Sequence, residues 1–176
     1  MRRLALCVAV TLLAACRPST PTTTAATAGS TTGSTVADPA VGAIERVVDG
    51  DTVVVDIGDG DETVRLIGID TPETVKPDTP VECYGPEASA LTKELLPEGT
   101  RVRLVRDVEP RDAYGRLLAY VYRVDDGLFV NLHLVEVGAA TPLTFEPNDT
   151  YADRFVAAAR AAERTGLGLW GACGTP

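Results

Sequence analysis

Two apolar, β-branched runs separated by only three residues constrain the fold more than any other feature of the chain. These runs are Ala43–Val48 and Thr52–Ile57, and the residues between them are Asp49-Gly50-Asp51. Asp-Gly between two such runs is a strong signal for a β-hairpin. A third run, Thr63–Ile69, follows the turn sequence Gly58-Asp59-Gly60-Asp61. The first part of the chain therefore predicts three consecutive strands joined by tight turns.

The remainder of the chain contains both helix and strand patterns. Pro86 lies in the first turn of a predicted helix, and apolar residues follow it at helical spacing. Further strands are predicted at Arg101–Val105 and Leu117–Val124, and helices at Tyr84–Leu96, Val130–Val137 and Thr150–Arg164. These elements suit an α+β fold, namely an OB-fold five-stranded β-barrel with three appended α-helices. A sheet of another topology stays open, because periodicity alone does not choose between them.

The N-terminus has the pattern of a lipoprotein signal. Residues 1–15 begin with a short basic region, continue with an apolar run too short to cross a membrane, and end immediately before Cys16. This pattern resembles a bacterial lipobox, in which the cysteine is lipidated; the alternative is an ordinary signal peptide. Residues 16–40 are rich in Ser, Thr, Ala and Pro and predict a flexible linker. We expect the domain, residues 41–176, to be held at the outer face of the cell membrane.

Four cysteines divide between the leader and the domain. Cys7 is removed with the signal peptide and Cys16 takes the lipid, which leaves Cys83 and Cys173 in an oxidising compartment. We predict a disulfide between these two, which would contribute roughly 4 kcal/mol in the chain-entropy model. A metal site is the weaker alternative, because the only histidine of the chain is His133 and lies near neither cysteine.

Three short segments carry candidate functional side chains: Val48–Thr52, Arg65–Glu73 and Asp112–Arg116. Taken singly, each is most often structural, since Asp-Gly-Asp-Thr is usually a turn and Tyr-Gly-Arg usually leads into a strand. Together they are more informative. Asp51 begins the second predicted strand and Asp70 ends the third, so in an antiparallel pair the two carboxylates meet at one end of the barrel.

The predicted meeting of two carboxylates has a chemical consequence. Adjacent carboxylates repel each other unless a cation lies between them, and oxygen-only ligands suit Ca²⁺. Strand alternation places Arg65 and Leu66 on opposite faces, and because Leu66 can take the core side, Arg65 is predicted to point outward. The same alternation separates Arg65 from Asp70, unless the strand has a bulge near Gly68 or ends before Asp70.

The combined motifs resemble those of the staphylococcal nuclease, or thermonuclease, family. The resemblance covers residues 44–170 and depends on five motifs and the pair Leu169-Trp170; the five are Asp49-Gly50-Asp51-Thr52, residues 65–73, Tyr84-Gly85-Pro86-Glu87-Ala88, Tyr114-Gly115-Arg116 and Pro147-Asn148. Each motif is weak alone, but their joint presence in this order is specific. The resemblance implies an OB barrel with helices. It also implies an extracellular endonuclease that cleaves DNA and RNA to 3′-phosphate products with Ca²⁺ as cofactor.

This resemblance implies roles for the acidic residues. Asp51 and Asp70 would bind Ca²⁺ through their carboxylates, and Thr71 would bind it through its backbone carbonyl. Asp49 would lie close to the metal. Glu73 would orient or deprotonate the attacking water, and the resemblance leaves both roles open.

It also implies roles for residues that contact the nucleotide. Arg65 and Arg116 would hold the scissile phosphate, a task that suits the planar guanidinium fork. Tyr114 would hydrogen-bond the terminal phosphate. Two tyrosines of the family pattern correspond here to Leu143 and Phe145. Phe145 can still stack on a base or ribose, whereas Leu143 cannot hydrogen-bond through its side chain, so we expect weaker substrate binding. Cys83 and Cys173 have no counterpart in the founding member, but they fit a bacterial subgroup of the family with a disulfide.

The chain is acidic, with 16 Lys+Arg against 25 Asp+Glu and a formal net charge of -9. A stable nucleic-acid binder should be basic or have a basic face. We therefore expect low affinity for nucleic acid and a strong calcium requirement. Two alternatives stay open, a non-catalytic OB-fold binding module and a surface lipoprotein with a structural calcium site. The expected partners are nucleic acid and the membrane, and the expected state is a monomer.

Overall fold

The strand and helix patterns of the sequence correspond to seven strands and four helices in the computed structural model, which describes residues 40–75 and 80–173. The strands are β1 (Ala40–Asp49), β2 (Thr52–Asp56), β3 (Asp61–Leu66), β4 (Gly68–Asp70), β5 (Arg101–Val105), β6 (Leu117–Arg123) and β7 (Thr141–Leu143). The helices are α1 (Gly85–Leu95), α2 (Val130–Glu136), α3 (Ala152–Arg164) and α4 (Leu169–Ala172). In these described residues, no helix is long and apolar enough to span a bilayer.

The predictions for the N-terminus fall outside this description. The signal peptide of residues 1–15, the lipidation site Cys16 and the linker up to residue 39 all precede the first described residue, Ala40. They stay predictions from the sequence.

Five of the strands close into a barrel in the order β1-β2-β3-β6-β5. β1 closes the barrel, because its residues 40–43 pair with β5 and its later residues pair with β2. β3 and β6 are parallel neighbours, and the other barrel pairs are antiparallel. The side chains of Val53, Val55 and Val64 are fully buried in the core, where each contributes about 1.5–3 kcal/mol. The predicted hairpin and the five-stranded OB-fold barrel are therefore confirmed.

The predicted third strand, Thr63–Ile69, is two strands in the structure. β3 ends at Leu66, and Gly68 begins β4 with a φ of +82°, a conformation that side-chain-bearing residues rarely adopt. A Cβ atom at Gly68 would lie 2.3 Å from the ring of Phe155. β4 leaves the barrel and pairs with β7. The alternation of side chains between the two faces of the strand therefore does not continue from β3 into β4.

Two short elements were not predicted. β7 has three residues and α4 has four, which is too short for a periodic pattern to be visible in the sequence. The three predicted helices are confirmed, because α1, α2 and α3 lie within the three predicted ranges, and α4 is an additional short helix.

Helices α1 and α2 hold the two turns that carry candidate residues. The hydroxyl of buried Thr92 in α1 donates to the carbonyl oxygen of Gly50 at 2.7 Å. The amide of buried Asn131 in α2 donates to the carbonyl oxygen of Ile67 at 3.0 Å and accepts from the backbone N–H of Val121 at 2.8 Å. Leaving such a buried group unpaired costs about 1–3 kcal/mol. Hydrogen bonds from α1 and α2 therefore hold the Asp-Gly turn and the break between β3 and β4 in place.

A disulfide joins Cys83 and Cys173, as predicted, with their Cα atoms 6.0 Å apart. It connects the segment that precedes α1 to the residue that follows α4.

Candidate active site

One cleft of about 990 Å³ brings the three candidate segments together. It is lined by the residues predicted to bind metal, phosphate or nucleotide or to act on the attacking water: Asp51, Arg65, Asp70, Thr71, Glu73, Tyr114, Arg116 and Phe145. A cleft of this size is sufficient for a nucleotide-sized ligand.

Arg65 links the two aspartates that were predicted to bind metal. Its Nη2 lies 3.0 Å from Asp51 Oδ2 and donates to Asp70 Oδ1 at 2.9 Å. Its Nη1 donates to the carbonyl oxygens of Leu66 and, at 2.9 Å, of Ile69. Only 11% of the side chain is exposed. Leu66 takes the core side and Arg65 lines the cleft, as predicted, but Arg65 is largely buried because the break after Leu66 brings backbone carbonyls and Asp70 around the guanidinium.

The carboxylates of Asp51 and Asp70 meet, as expected. Both oxygens lie within 3.0 Å of the same Arg65 nitrogen, so the distance between them is at most twice that value. Asp51 is buried, and its Oδ2 also accepts the backbone N–H of Thr71 at 3.0 Å. Asp70 is half exposed to the cleft. The Asp-Gly turn and the strand break therefore place the carboxylates of Asp51 and Asp70 next to the same Arg65 nitrogen.

The surroundings of Asp70 favour a cation. Burial raises the pKa of Asp70, as do the charges of Asp51, Glu82 and Glu73, and Arg65 only partly offsets them. A divalent ion would relieve this repulsion. In residues 40–75 and 80–173, no group of three or more His, Cys, Asp or Glu side chains is arranged to hold a metal. Asp51 and Asp70 are the two carboxylates that meet in the cleft, and carboxylate oxygens suit a hard cation.

Glu73 is held at the wall of the cleft by its own backbone neighbours. Its Oε1 accepts the backbone N–H groups of Thr74 and Val75, both at 2.9 Å. The Thr74 hydroxyl donates to Asp49 Oδ1 at 2.6 Å. Burial raises the pKa of Asp49, hydrogen bonds from Thr74 and Gly50 oppose the rise, and neighbouring Glu73 adds to it. The carboxylate of Glu73 therefore has a defined orientation next to a second acid.

Arg116 is positioned by Asp112. The Arg116 Nε donates to Asp112 Oδ2 at 2.7 Å, and Asp112 Oδ1 accepts the backbone N–H groups of Tyr114 and Arg116 at 2.9 and 3.0 Å. One carboxylate thus fixes both the loop and the guanidinium that the loop carries. Arg65 and Arg116 line the same cleft, so the structure brings together the two predicted phosphate ligands.

Comparison with known proteins identifies the family. A family model described as "Staphylococcal nuclease homologue" matches residues 63–172. The chain belongs to the staphylococcal nuclease family. It is 47% identical over 127 residues to the Thermonuclease of Staphylococcus intermedius, covering 72% of this chain and 74% of that relative. It is 42% identical over 125 residues to the Thermonuclease of Staphylococcus hyicus, covering 71% and 72%.

A third relative belongs to another genus. The chain is 41% identical over 133 residues to Endonuclease YncB of Bacillus subtilis (strain 168), covering 74% of this chain and 62% of that relative. This member of the staphylococcal nuclease family is therefore a nuclease, a hydrolase that breaks phosphodiester bonds in nucleic acid.

The rim of this nuclease cleft carries two exposed aromatic rings. Tyr114 is 86% exposed and Phe145 is 58% exposed, while Leu143 next to them is half buried. Buried Asn148 accepts the backbone N–H of Glu109 at 2.8 Å and donates to its carbonyl oxygen at 3.0 Å. The Pro-Asn motif of the family thus ties the turn that carries Phe145 to the segment that leads to Tyr114.

Three cleft residues of this nuclease, Asp112, Arg111 and Glu82, had no role predicted from the sequence. Asp112 had a visible signal, because an Asp two or three residues before a glycine often accepts backbone N–H groups in a turn. Arg111 and Glu82 had none. Arg111 pairs with both carboxylate oxygens of Glu62, at 2.9 and 2.7 Å, across 49 residues of sequence, and Glu82 bonds to Glu73 across nine.

Proposed function

We propose that the chain is an extracellular, calcium-dependent endonuclease that hydrolyses DNA and RNA to 3′-phosphate products. The mature protein would be a monomer, anchored to the outer face of the cell membrane through lipidated Cys16. One observation carries the calcium proposal: Asp51 and Asp70 converge on a single position that a guanidinium nitrogen of Arg65 takes in this structure. The nuclease relatives support the reaction.

The charge of the cleft supports a need for added positive charge. Among the described residues that line it, three guanidinium groups, those of Arg65, Arg111 and Arg116, face eight carboxylates: Asp49, Asp51, Asp70, Glu73, Glu82, Glu109, Asp112 and Glu146. Each of the three guanidinium groups already pairs with a carboxylate of the protein. An entering phosphodiester would therefore meet net negative charge, which a bound divalent cation offsets.

The acidic side of the cleft would hold the cation and the water. Asp51, Asp70 and the carbonyl of Thr71 would hold Ca²⁺, which when bound would polarise a phosphoryl oxygen. Glu73, kept in orientation by two backbone N–H groups, would orient the attacking water or accept its proton.

The basic side would hold the phosphate. Arg65 and Arg116 would donate to the non-bridging oxygens and stabilise the charge that develops on them. Arg65 can do so only by releasing part of its contact with Asp51 and Asp70, and a cation bound to those carboxylates favours that release. Metal binding and phosphate binding are therefore expected to support each other.

A digest of nucleic acid tests the reaction. Single- and double-stranded DNA and RNA are incubated with the protein in calcium, in magnesium and in excess chelator, and the product ends are analysed. We expect cleavage in calcium only, with 3′-phosphate ends on both DNA and RNA. Cleavage at the background rate in calcium would refute the proposal and favour a binding module.

Glu73→Gln separates an enzyme from a structural calcium protein. We expect cleavage to fall about 10²- to 10⁴-fold, because the amide cannot accept the proton of water. Calcium and nucleotide binding, measured by calorimetry, should survive. The matched control is Glu94→Gln on the exposed face of α1, outside the cleft, which should cleave normally. Full activity in the Glu73 variant would remove this residue from the mechanism.

The anchor has its own test. Cys16→Ala in the full chain should move the protein from the membrane fraction to the medium without changing the activity of the released domain. Retention of the variant in the membrane fraction would exclude lipidation at Cys16.

A further inference from the structure

Glu82 forms a two-point bridge to the backbone of Glu73. Its carboxylate Oε2 accepts the backbone N–H of Glu73 at 2.9 Å, and its own backbone N–H donates to the carbonyl oxygen of Glu73 at 2.9 Å. The bridge closes the loop between the two residues at its base. Both the backbone N–H and the backbone carbonyl of Glu73 are thereby hydrogen-bonded to Glu82.

The bridge is attached to a rigid part of the molecule through the next residue. Cys83 is bonded to Cys173, whose backbone N–H donates to the carbonyl oxygen of Leu169 at 2.8 Å. Leu169 is buried, and its own N–H donates to the carbonyl oxygen of Gly138 at 2.9 Å. A covalent and hydrogen-bonded path therefore runs from the end of α2, through α4 and the disulfide, to Glu82.

We propose that Glu82 is a positioning residue for phosphodiester hydrolysis and that the Cys83–Cys173 disulfide holds it in place. This inference rests on the proposed role of Glu73 toward the attacking water. Hydrolysis depends on near-attack geometry, and a displacement of about 1 Å can cost about 10²-fold in rate. The hydrogen bonds from the N–H groups of Thr74 and Val75 to the Glu73 carboxylate are local, because they come from the next two residues of the chain. The loop is attached to the fold at two points: the Thr74 hydroxyl bonds to Asp49 of β1, and the Glu82 bridge holds the backbone of Glu73 from the side of the disulfide.

Three single variants test the role of Glu82. Glu82→Ala should lower kcat for single-stranded DNA about 10- to 100-fold, with a change in KM below about threefold. Glu82→Gln should recover most of kcat, because the amide oxygen accepts the same N–H although the negative charge is gone. Glu94→Ala, an exposed glutamate of α1, is the control. Calcium affinity and melting temperature are measured for all three.

Each outcome of these assays bears either on the role of Glu82 or on the proposed function. Wild-type kcat in Glu82→Ala, or a loss confined to KM or to melting temperature, would overturn the proposal. An equal loss in the Gln and Ala variants would also overturn it, since the charge would then matter instead of the hydrogen bond. If the wild-type protein itself shows no calcium-dependent cleavage, the proposed function fails. If the wild type is active and Glu82→Ala matches it, only this inference fails.

The role of the disulfide is tested by combining cysteine variants with the Glu82 variant. The double variant Cys83→Ser/Cys173→Ser is assayed at a temperature where circular dichroism shows it folded, alone and together with Glu82→Ala. Because both changes act through one bridge, the triple variant should have the kcat of Glu82→Ala alone. A kcat loss in the triple variant equal to the product of the two separate losses, or a full kcat in the double variant, would overturn the role given to the disulfide.

Discussion

Replacing Arg65 with methionine should destabilise the calcium-free protein and increase its response to calcium. Methionine keeps most of the length of the side chain and removes the charge. The change leaves Asp51, whose side chain is only 10% exposed, without its cationic partner. It also removes the donor to the carbonyl oxygens of Leu66 and Ile69.

The size of the effect follows from these lost partners. Removing one member of a buried ion pair costs about 3–5 kcal/mol. Because Asp70 is half exposed, the loss of its ion pair with Arg65 adds only about 0–1 kcal/mol to the destabilisation. We take about 3 kcal/mol as the expected loss, because the cleft admits water to one side of the pair. This is a large part of a typical unfolding free energy of about 5–15 kcal/mol and corresponds to a drop of roughly 10 °C in melting temperature.

Calcium should reverse much of this loss. A ligand at 100 times its Kd adds about 2.7 kcal/mol to the unfolding free energy. In the variant no guanidinium competes for Asp51 and Asp70, so calcium should bind more tightly and stabilise the variant more than the wild type. Urea unfolding followed by circular dichroism, in chelator and in calcium, measures both quantities. Arg111→Met is the matched control, because its partner Glu62 lies at the surface; we expect a loss below about 1 kcal/mol and an unchanged calcium response.

Two results would refute the reasoning. One is a urea midpoint of the Arg65 variant in chelator equal to that of the wild type. The other is equal stabilisation of both proteins by calcium, which would show that the guanidinium does not compete with the ion for the two carboxylates.

Three further predictions concern the loop and the strand break. Asp112→Asn should lower kcat about tenfold, because the neutral amide orients the Arg116 guanidinium less firmly; an unchanged kcat in steady-state assays would contradict this. Burial raises the pKa of Asp112, but hydrogen bonds with Arg116 lower it overall, below its ordinary value of 3.8. The stability advantage of the wild type over this variant should therefore be present above pH 3.8 and vanish as pH falls through the folded pKa, as acid unfolding curves would show. Gly68→Ala should cost about 1–3 kcal/mol or more, from the positive φ and the contact with Phe155, whereas Gly58→Ala, which has a positive φ but open space around it, should cost less; equal urea midpoints of the two variants would argue against a cost from the contact with Phe155.

The barrel was predictable because its signals are local. The Asp-Gly turn between β1 and β2, the alternating pattern of Arg101–Val105 and the proline in the first turn of α1 each depend on neighbours in sequence. The same holds for the grouping of Asp51 with Asp70, which follows from the ends of adjacent strands. These local signals are sufficient to predict that the main acids of the cleft lie close together.

The parts that were not predictable depend on distant partners. The burial of Arg65 depends on the break at Gly68, where the ring of Phe155 from α3 leaves no room for a side chain. Whether strand alternation continues through a glycine is decided by such tertiary contacts and not by the local pattern. Glu82 and Arg111 likewise read as surface charges until the residues they bond to are known.

The first strand of the barrel is also where the predicted tether would pull. Residues 40–43 of β1 pair with β5, and the chain that precedes them leads toward Cys16. A mechanical load applied through the N-terminus would fall first on the hydrogen bonds between these two strands. The Asp-Gly turn lies at the far end of β1, beyond its pairing with β2. Tension on the predicted tether would therefore strain the pairing of β1 with β5 before it reached the Asp-Gly turn.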